Sequence, residues 1–396
     1  MKNGAKGLVC MIAYTNYAFD ARVRREAETL ASHGYHVLCL TTKNGGNPRR
    51  FRLDGVEVRE LGVSKYRGKS RLAYLGSYLR FLLSSSAACA RLLVTGRLDV
   101  VHVHNLPDFL VFAGLLPRLG GSKVVLDVHD SVPETFATKF SGGALLQRAL
   151  RLEERLSAWV AHRVICVNHP QREALVARGI PGSKTFISMN VPDPRIFVRR
   201  PPTDRTATGN GHFNLVYHGT MVERLGVDLI IRAVARLTDR LPQVRLHLWG
   251  QGDDLDAFQT LAQELGVADK VLFIPKGVPL HELPGRLGEM DLGVIGNRRS
   301  VAGDLMLPVK LMEYVSLGIP AVVPRLRTIE YYFSEDTVAF YEPEDVRSLA
   351  DSIYRLYCDP ELRRRQAERA GTLLGGYGWE RQGAELVTFY QNLVER

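Results

Sequence analysis

VVHVHNLPDFLVFAGLLPRLGGSKVVLDVHD, residues 100–130, carries the reading of the fold. Val100–Val103 is a short apolar run, Phe109–Leu119 has helical length, and Val124–Val128 is a second apolar run. Two continuous apolar strands joined by a helix-length crossover imply a parallel pair buried on both faces. The same alternation runs outward in both directions. Upstream lie a strand at Leu8–Ala13, a helix from about Arg22 to His33 closed by Gly34, strands at His36–Thr41 and Val56–Leu61, and a long helical stretch from Arg71 to Leu93. Downstream lie helix Leu145–His162, strand Val164–Val167 and helix Arg172–Arg178. Short strands alternating with such helices predict an α/β, doubly wound sheet.

A break follows. Arg199-Arg200-Pro201-Pro202 opens a polar stretch with the composition of a linker. Strands then recur at Leu215–Tyr217, Arg245–Trp249, Val271–Ile274, Leu292–Ile295 and Ala321–Val323, with helices between them. From Asp345 onward the chain reads as helical, with a pause at Leu374–Gly378. The 396 residues suit two domains of this kind. The expected boundaries are a domain at 1–198, a linker at 199–212 and a domain at 213–378.

Apolar residues at 45% and charged residues at 24% exclude a disordered chain. No uninterrupted apolar stretch has spanning length, since Arg80 and Arg91 cut the best candidate, Leu72–Thr95. Met1–Gly7 lacks the regions of a signal peptide, which predicts a cytoplasmic protein. The five cysteines are dispersed and form no C-x-x-C pair, so neither a disulfide framework nor a zinc knuckle is expected. The net charge of +10 is uneven: residues 1–200 carry 30 Lys+Arg against 15 Asp+Glu, and residues 201–396 carry 22 against 27. The first half is therefore the half that meets an anionic partner.

Doubly wound sheets bind ligands beyond the carboxyl ends of their strands. In the first half the polar residues there are Asn16, Asp20 with Arg22, His104 with Asn105, and His129 with Asp130. In the second they are His218 and Gly219, Gly250-Gln251-Gly252, Lys276-Gly277, Asn297 and the approach to Lys310. Leu307–Pro320 is the strongest local signal. Pro308 suits a helix start, whose free amides and partial positive charge favour a phosphate. Lys310 adds a full charge there, and Glu313 on the same face can accept hydrogen bonds from a ribose diol. The alternative is an ordinary surface Lys–Glu pair. Gly219 lets backbone approach an anion, Thr220 follows it, and Arg224 adds charge; a simple turn is the alternative. Gly250-Gln251-Gly252 is a lone G-x-G without the dinucleotide fingerprint, which argues against a nicotinamide enzyme. His129 and His104, at strand ends, suit a substrate hydroxyl or developing charge, or else bond a loop carbonyl.

Taken in order, these pieces resemble the retaining GT-B glycosyltransferases of the family-4 type, in their bacterial surface-polysaccharide branch, over almost the whole chain. The resemblance rests on Asp20–Ala27 with Gly34–Val37, Asp99–Asn105, Asp127–Asp130, Ile165–Val167, Asn190–Asp193, His218–Met221 with Gly226–Asp228, and the Lys310/Glu313 segment. It implies two Rossmann-like domains facing each other across a cleft, with the last helix, near Trp379–Leu393, crossing back to the first. It implies a nucleoside-diphosphate sugar, UDP- or GDP-linked, held by the second domain, an acceptor held by the first, no cofactor and no metal. His129 then corresponds to the catalytic histidine near the reacting carbon, and Asp20, Arg22 and His104 line the acceptor side. Donor-binding positions are Gly219, Thr220, Arg224, Gly250, Val278, Lys310, Leu311 and Glu313. Two positions depart from the pattern: Leu305, with Asp304 adjacent, stands where the family has a second glutamate, and Leu225 where it has a lysine.

Residues 49–83 combine basic clusters, Arg49-Arg50-Phe51-Arg52 and Lys65–Arg71, with an apolar helical stretch that includes Leu72, Leu75, Leu79 and Phe81. That order predicts docking on an anionic membrane surface. No nucleic-acid module is present. The expected protein is a peripheral membrane glycosyltransferase with a glycan or lipid-linked acceptor. A sugar-nucleotide epimerase or hydrolase, and a non-catalytic nucleotide-binding scaffold, are the alternatives.

Overall fold

The computed structural model describes residues 6–43, 49–66, 68, 70–96, 98–139, 143–198 and 211–395. The chain divides into two compact units, Met1–Asn190 with Glu380–Arg396, and Val191–Trp379. The first division falls eight residues before the expected linker, of which residues 199–210 lie outside the described residues.

The first unit is built on eight strands: β1 (Leu8–Ala13), β2 (His36–Lys43), β3 (Arg50–Leu53), β4 (Val56–Ser64), β5 (Val100–His104), β6 (Lys123–Val128), β7 (Arg163–Cys166) and β8 (Thr185–Ile187), in the order β3-β4-β2-β1-β5-β6-β7-β8. All neighbours are parallel except β3 and β4. That pair is a hairpin over Asp54-Gly55, both with positive φ, as a tight two-residue turn of this hand requires. The hairpin's first strand was not foreseen. The central strands are buried on both faces, which is why they read as unbroken apolar runs. The order reverses at β1, so the carboxyl ends of β1, β5 and β6 meet at a topological switch point.

The expected helix Phe109–Leu119 is a 3-10 run, Asp108–Gly114, followed by one α-helical segment, Leu115–Leu119. The backbone passes so close to the sheet that a Cβ on Gly114 would lie 3.0 Å from the Val124 side chain. The terminal helix, Trp379–Val394, packs on the first unit. Phe389 stacks on Phe186 at 4.5 Å, and Gln382 accepts from the Met189 N–H. The basic-apolar segment is only partly outward. Phe81 is fully buried in the core, a correction to its expected membrane role, whereas Leu72, Leu75 and Leu79 are exposed.

The second unit has six parallel strands: β9 (Phe213–His218), β10 (Val244–Trp249), β11 (Val271–Ile274), β12 (Leu292–Val294), β13 (Ala321–Pro324) and β14 (Ala339–Tyr341), in the order β11-β10-β9-β12-β13-β14. Its switch point lies between β9 and β12, beyond the end of His218. The helix Val227–Leu237 buries seven residues, including Ile230, Ile231 and Val234, against this sheet. Among the described residues no helix is long and apolar enough to cross a membrane.

The terminal helix contributes fully buried Leu386 and Tyr390 to the first unit. Leu386→Ala should therefore cost about 2–5 kcal/mol of that unit's stability. A fall in the urea midpoint at unchanged slope, followed by a first-unit fluorescence or NMR probe, checks this.

Candidate functional sites at the two switch points

In the first unit a buried carboxylate organises the site. Asp127 is the fifth residue of β6, fully buried in an otherwise apolar strand. Arg22 grips it through two bonds, Nε to Oδ2 at 2.9 Å and Nη2 to Oδ1 at 2.7 Å. The same guanidinium reaches Glu26 at 3.0 Å and donates to the Ser188 carbonyl at 2.9 Å. Arg22 stands in the first turn of helix Ala21–Ser32, whose start is fixed by Asp20 accepting from the Val23 N–H. Asp127 Oδ2 also lies 3.0 Å from His104 Nδ1 and 2.9 Å from His129 Nε2. His102 stacks on His104 at 4.2 Å and shares a hydrogen bond with the Tyr390 hydroxyl.

Charge decides what each group can do. Burial raises Asp127, but Arg22 and then His129 outweigh it and hold the carboxyl well below its usual range. Burial and neighbouring His102 drive His104 down to about 3, so it is neutral. Burial lowers His129 too, yet the Asp127 carboxylate reverses this and raises it above its ordinary value. His129 is also the member that reaches the surface, with 22% of its side chain exposed. Asn105 sets its backbone: Oδ1 accepts from the His129 N–H at 2.7 Å, while Nδ2 donates to the Asp130 carbonyl and to Asp108.

Two expectations are corrected here. Arg22 and His104 were assigned to the acceptor side; both are buried and engaged with Asp127, because an ionised carboxylate inside a sheet must be neutralised from within. Asp20 serves as a helix cap. Glu26, His102, His104 and Asp127 place donor atoms within 4.8 Å of one another, an arrangement that suits a metal ion by distance. Arg22, bound to both carboxylates, already supplies the positive charge there.

In the second unit, His218 ends β9 and stands 3.1 Å from Glu313 on helix Val309–Ser316. Tyr314 braces the histidine edge-on at 5.4 Å. Lys310, one turn before Glu313, lays its ammonium 3.8 Å above the Tyr217 ring. A Cβ on Gly219 would come within 3.2 Å of that nitrogen, and one on Gly250 within 1.8 Å of the Gly219 carbonyl. Gly219 and Gly250 have φ of +118° and +149°, so side chains are excluded there by conformation as well as space. The loops after β9, β10 and β11 thus pack backbone to backbone, with Thr220 exposed and Val278 half-buried on them. Arg224 is exposed in the 3-10 turn Glu223–Leu225, and its charge reaches Lys310.

The structure brings Gly219, Gly250, Lys310 and Glu313 together, with Arg224 beside them. It removes Leu311: that side chain is fully buried and its N–H is bonded to the Pro308 carbonyl. The Gly219 N–H is likewise taken, by the Trp249 carbonyl, so Gly219 contributes space and not a donor. Asp304 does not replace the missing glutamate. Its carboxylate accepts from the Arg327 N–H at 3.3 Å, while Leu305 turns into the interior. His218 and Asp127 carry roles the sequence reading did not assign; the acid inside the apolar run Val124–Val128 was the available signal. Chemically, the second site presents cations for an anion and a carboxylate for hydroxyl groups.

Residues 20–189 match the sequence model of a family described as a glycosyl transferase 4-like domain. Residues 204–372 match that of glycosyl transferases group 1. The chain belongs to the family-4 glycosyltransferases of the GT-B fold. Among relatives of this glycosyltransferase, the GDP-mannose-dependent alpha-(1-6)-phosphatidylinositol monomannoside mannosyltransferase of Mycolicibacterium smegmatis is 30% identical over 175 residues. That match spans 42% of this chain and 44% of the relative, less than half of its length. D-inositol 3-phosphate glycosyltransferase of an Arthrobacter strain is 26% identical over 94% of this chain and 90% of its own. The fold is shared with Anabaena HepE, solved in complex with UDP-glucose: TM-score 0.72 at 14% identity, covering 97% of this chain and 99% of that one.

Two predictions follow from these charges. Burial, only partly opposed by Glu313, brings Lys310 down to about 7. An anion docking beside it restores the ammonium, so binding of a diphosphate probe at pH 8 should take up close to one proton and weaken as the pH rises further. Titration calorimetry in buffers of different ionisation enthalpy reads this proton, and Lys310→Met should abolish it. Asp127→Asn should destabilise the first unit by about 3–5 kcal/mol, since Arg22 loses its doubly bonded partner and keeps only Glu26. It should also drop the His129 pKa, read by NMR. His129 is raised on folding, so its share of stability is present below its unfolded pKa and fades as pH rises through the folded value; the variant should lose that dependence.

Proposed function

We propose that this glycosyltransferase moves a sugar, with retention, from a UDP- or GDP-linked donor to a glycan or lipid-linked acceptor in surface polysaccharide biosynthesis. It works without a metal, in the cytoplasm, peripheral on the inner face of the cell membrane. The observation that carries the donor reading is Lys310 held against Gly219, one turn from a Glu313 braced by His218. Lys310 and Arg224 stabilise the charge that grows on the departing diphosphate, and Glu313 orients the nucleoside through its hydroxyls. A GDP-mannose-dependent relative and a fold neighbour solved with UDP-glucose support a nucleotide sugar and favour these two bases. His129, which the Asp127 carboxylate raises above its ordinary value, is the first unit's candidate hydrogen-bond donor for a sugar. The carboxylate bonded to His129, Asp127, is enclosed by Arg22 and the histidines and is not placed as a nucleophile. Attack therefore comes from the leaving-group face, with the departing phosphate taking the acceptor proton.

Leu305, and an Asp304 tied to Arg327, favour a second reading as a non-catalytic nucleotide-binding scaffold. Calorimetric titration with UDP, GDP and dTDP separates the cases when paired with product analysis of the matching sugar nucleotide. The expected result is selective binding of one base, lost by at least ten-fold in Lys310→Ala and Glu313→Ala, and donor consumption that depends on an acceptor. Binding with an intact donor under every acceptor establishes the scaffold; rapid turnover without acceptor establishes an epimerase or hydrolase.

A further inference from the structure

One face of the first sheet is covered by a layer made of helix Arg71–Thr95, the segment 108–119 and helix Ala144–Val160. Inward residues of all three, among them Phe81, Cys89, Leu110, Val111, Ala158 and Val160, join one core with β5 and β6. The outward side of such a layer is expected to be polar. Here it is apolar. Leu72, Leu79 and Leu83 of the first helix are 82%, 45% and 69% exposed. Leu145, Leu152, Leu156 and Trp159 of the last are 81%, 57%, 47% and 67% exposed. Their spacing returns to one side of the helix every two turns. Leu116 and Leu119, also exposed, lie on the short helix between them. That helix touches both neighbours: Arg118 sits 5.5 Å over the Trp159 ring, and Gly120 backs onto Leu93. Single exposed leucines are ordinary, whereas three adjoining elements of them mark a contact surface.

The charge on this surface has one sign. Arg80, Arg91, Arg148, Arg151 and Arg155 are exposed. Residues 71–95 contain no acid. The two glutamates of the last helix turn inward, Glu154 bonded to Arg178 at 2.7 Å and Glu153 accepting from Ser157. A second copy of the chain docking through the same face would oppose arginine to arginine. We propose that this layer is the membrane-docking face, and that its occupant is an anionic lipid leaflet. The leucines and Trp159 enter the acyl boundary, and Arg148, Arg151 and Arg155 meet the headgroup phosphates. The inference rests on the membrane-peripheral part of the proposed function, and it moves the main contact to residues 144–160, outside the segment 49–83.

Trp159 is its own reporter, because Trp249 and Trp379, the other two tryptophans, are buried. The test mixes the full chain with vesicles of phosphatidylcholine, alone or with phosphatidylglycerol. Salt-sensitive binding is expected only with phosphatidylglycerol. It should come with a blue shift and with quenching by chain-brominated lipid, both lost in Trp159→Phe. The combined variant Arg148→Gln, Arg151→Gln and Arg155→Gln should lose on the order of a hundred-fold in vesicle affinity. Leu152→Gln with Leu156→Gln should abolish the blue shift. All these side chains are exposed, and an unchanged urea midpoint confirms that the variants fold. Absence of binding to anionic vesicles overturns the proposal, as does binding without quenching of Trp159. Concentration-dependent dimers that bury Trp159 without lipid assign the face to a second copy and overturn it as well. UDP titration of the same samples keeps the two readings apart: lost vesicle binding with intact UDP binding fails this proposal alone, and the converse fails the donor reading alone.

Discussion

Asp127 is a charge that the first unit could not tolerate unpartnered. It sits in the middle of a parallel sheet, out of water, where an isolated carboxylate is prohibitively costly. Arg22 from the first helix, His104 from β5 and His129 after β6 all converge on its two oxygens. Each is thereby fixed in place: the helix by its guanidinium, the neighbouring strand by a neutral imidazole, and the half-buried His129 ring by the charge beneath it. Glu26 and Ser188 extend the same set. The polar cluster specifies geometry at the switch point more than it adds stability.

The second unit places a lysine differently, without a bonded carboxylate. Lys310 is set over an aromatic face and beside a glycine, with no carboxylate bonded to its ammonium among the described residues. Glu313, its nearest acid along the helix, is held by His218 instead. The consequence is a lysine whose charge burial has weakened and which an anion would restore. The glycine loops after β9 and β10 bring their backbones together beside Lys310, where side chains would otherwise stand.

The alternation of strands and helices was legible because parallel strands buried on both faces must be continuous apolar runs. The hairpin at β3 escaped notice although Asp54-Gly55 is a recognisable turn pair; its first strand, Arg50–Leu53, is polar and lies at the sheet edge. The crossover after β5 was taken for a helix, and its composition is helical. In the structure its first part, Asp108–Gly114, is a 3-10 run whose backbone lies close to β6 at Gly114.

By itself the sequence determined the two doubly wound units, the strand ends at which chemistry can occur, and the Lys310–Glu313 spacing on one helix. These depend on neighbours within a few positions, where periodicity and capping act. Tertiary structure alone decided that Arg22 and His104 bond to Asp127, that Leu311 points inward, and that Leu156 points out while Phe81 points in. Arg22 and Asp127 are 105 positions apart. Which charge meets which carboxylate, and which side of an apolar helix is covered, is set by segments that distant in the chain, and no local pattern encodes the meeting.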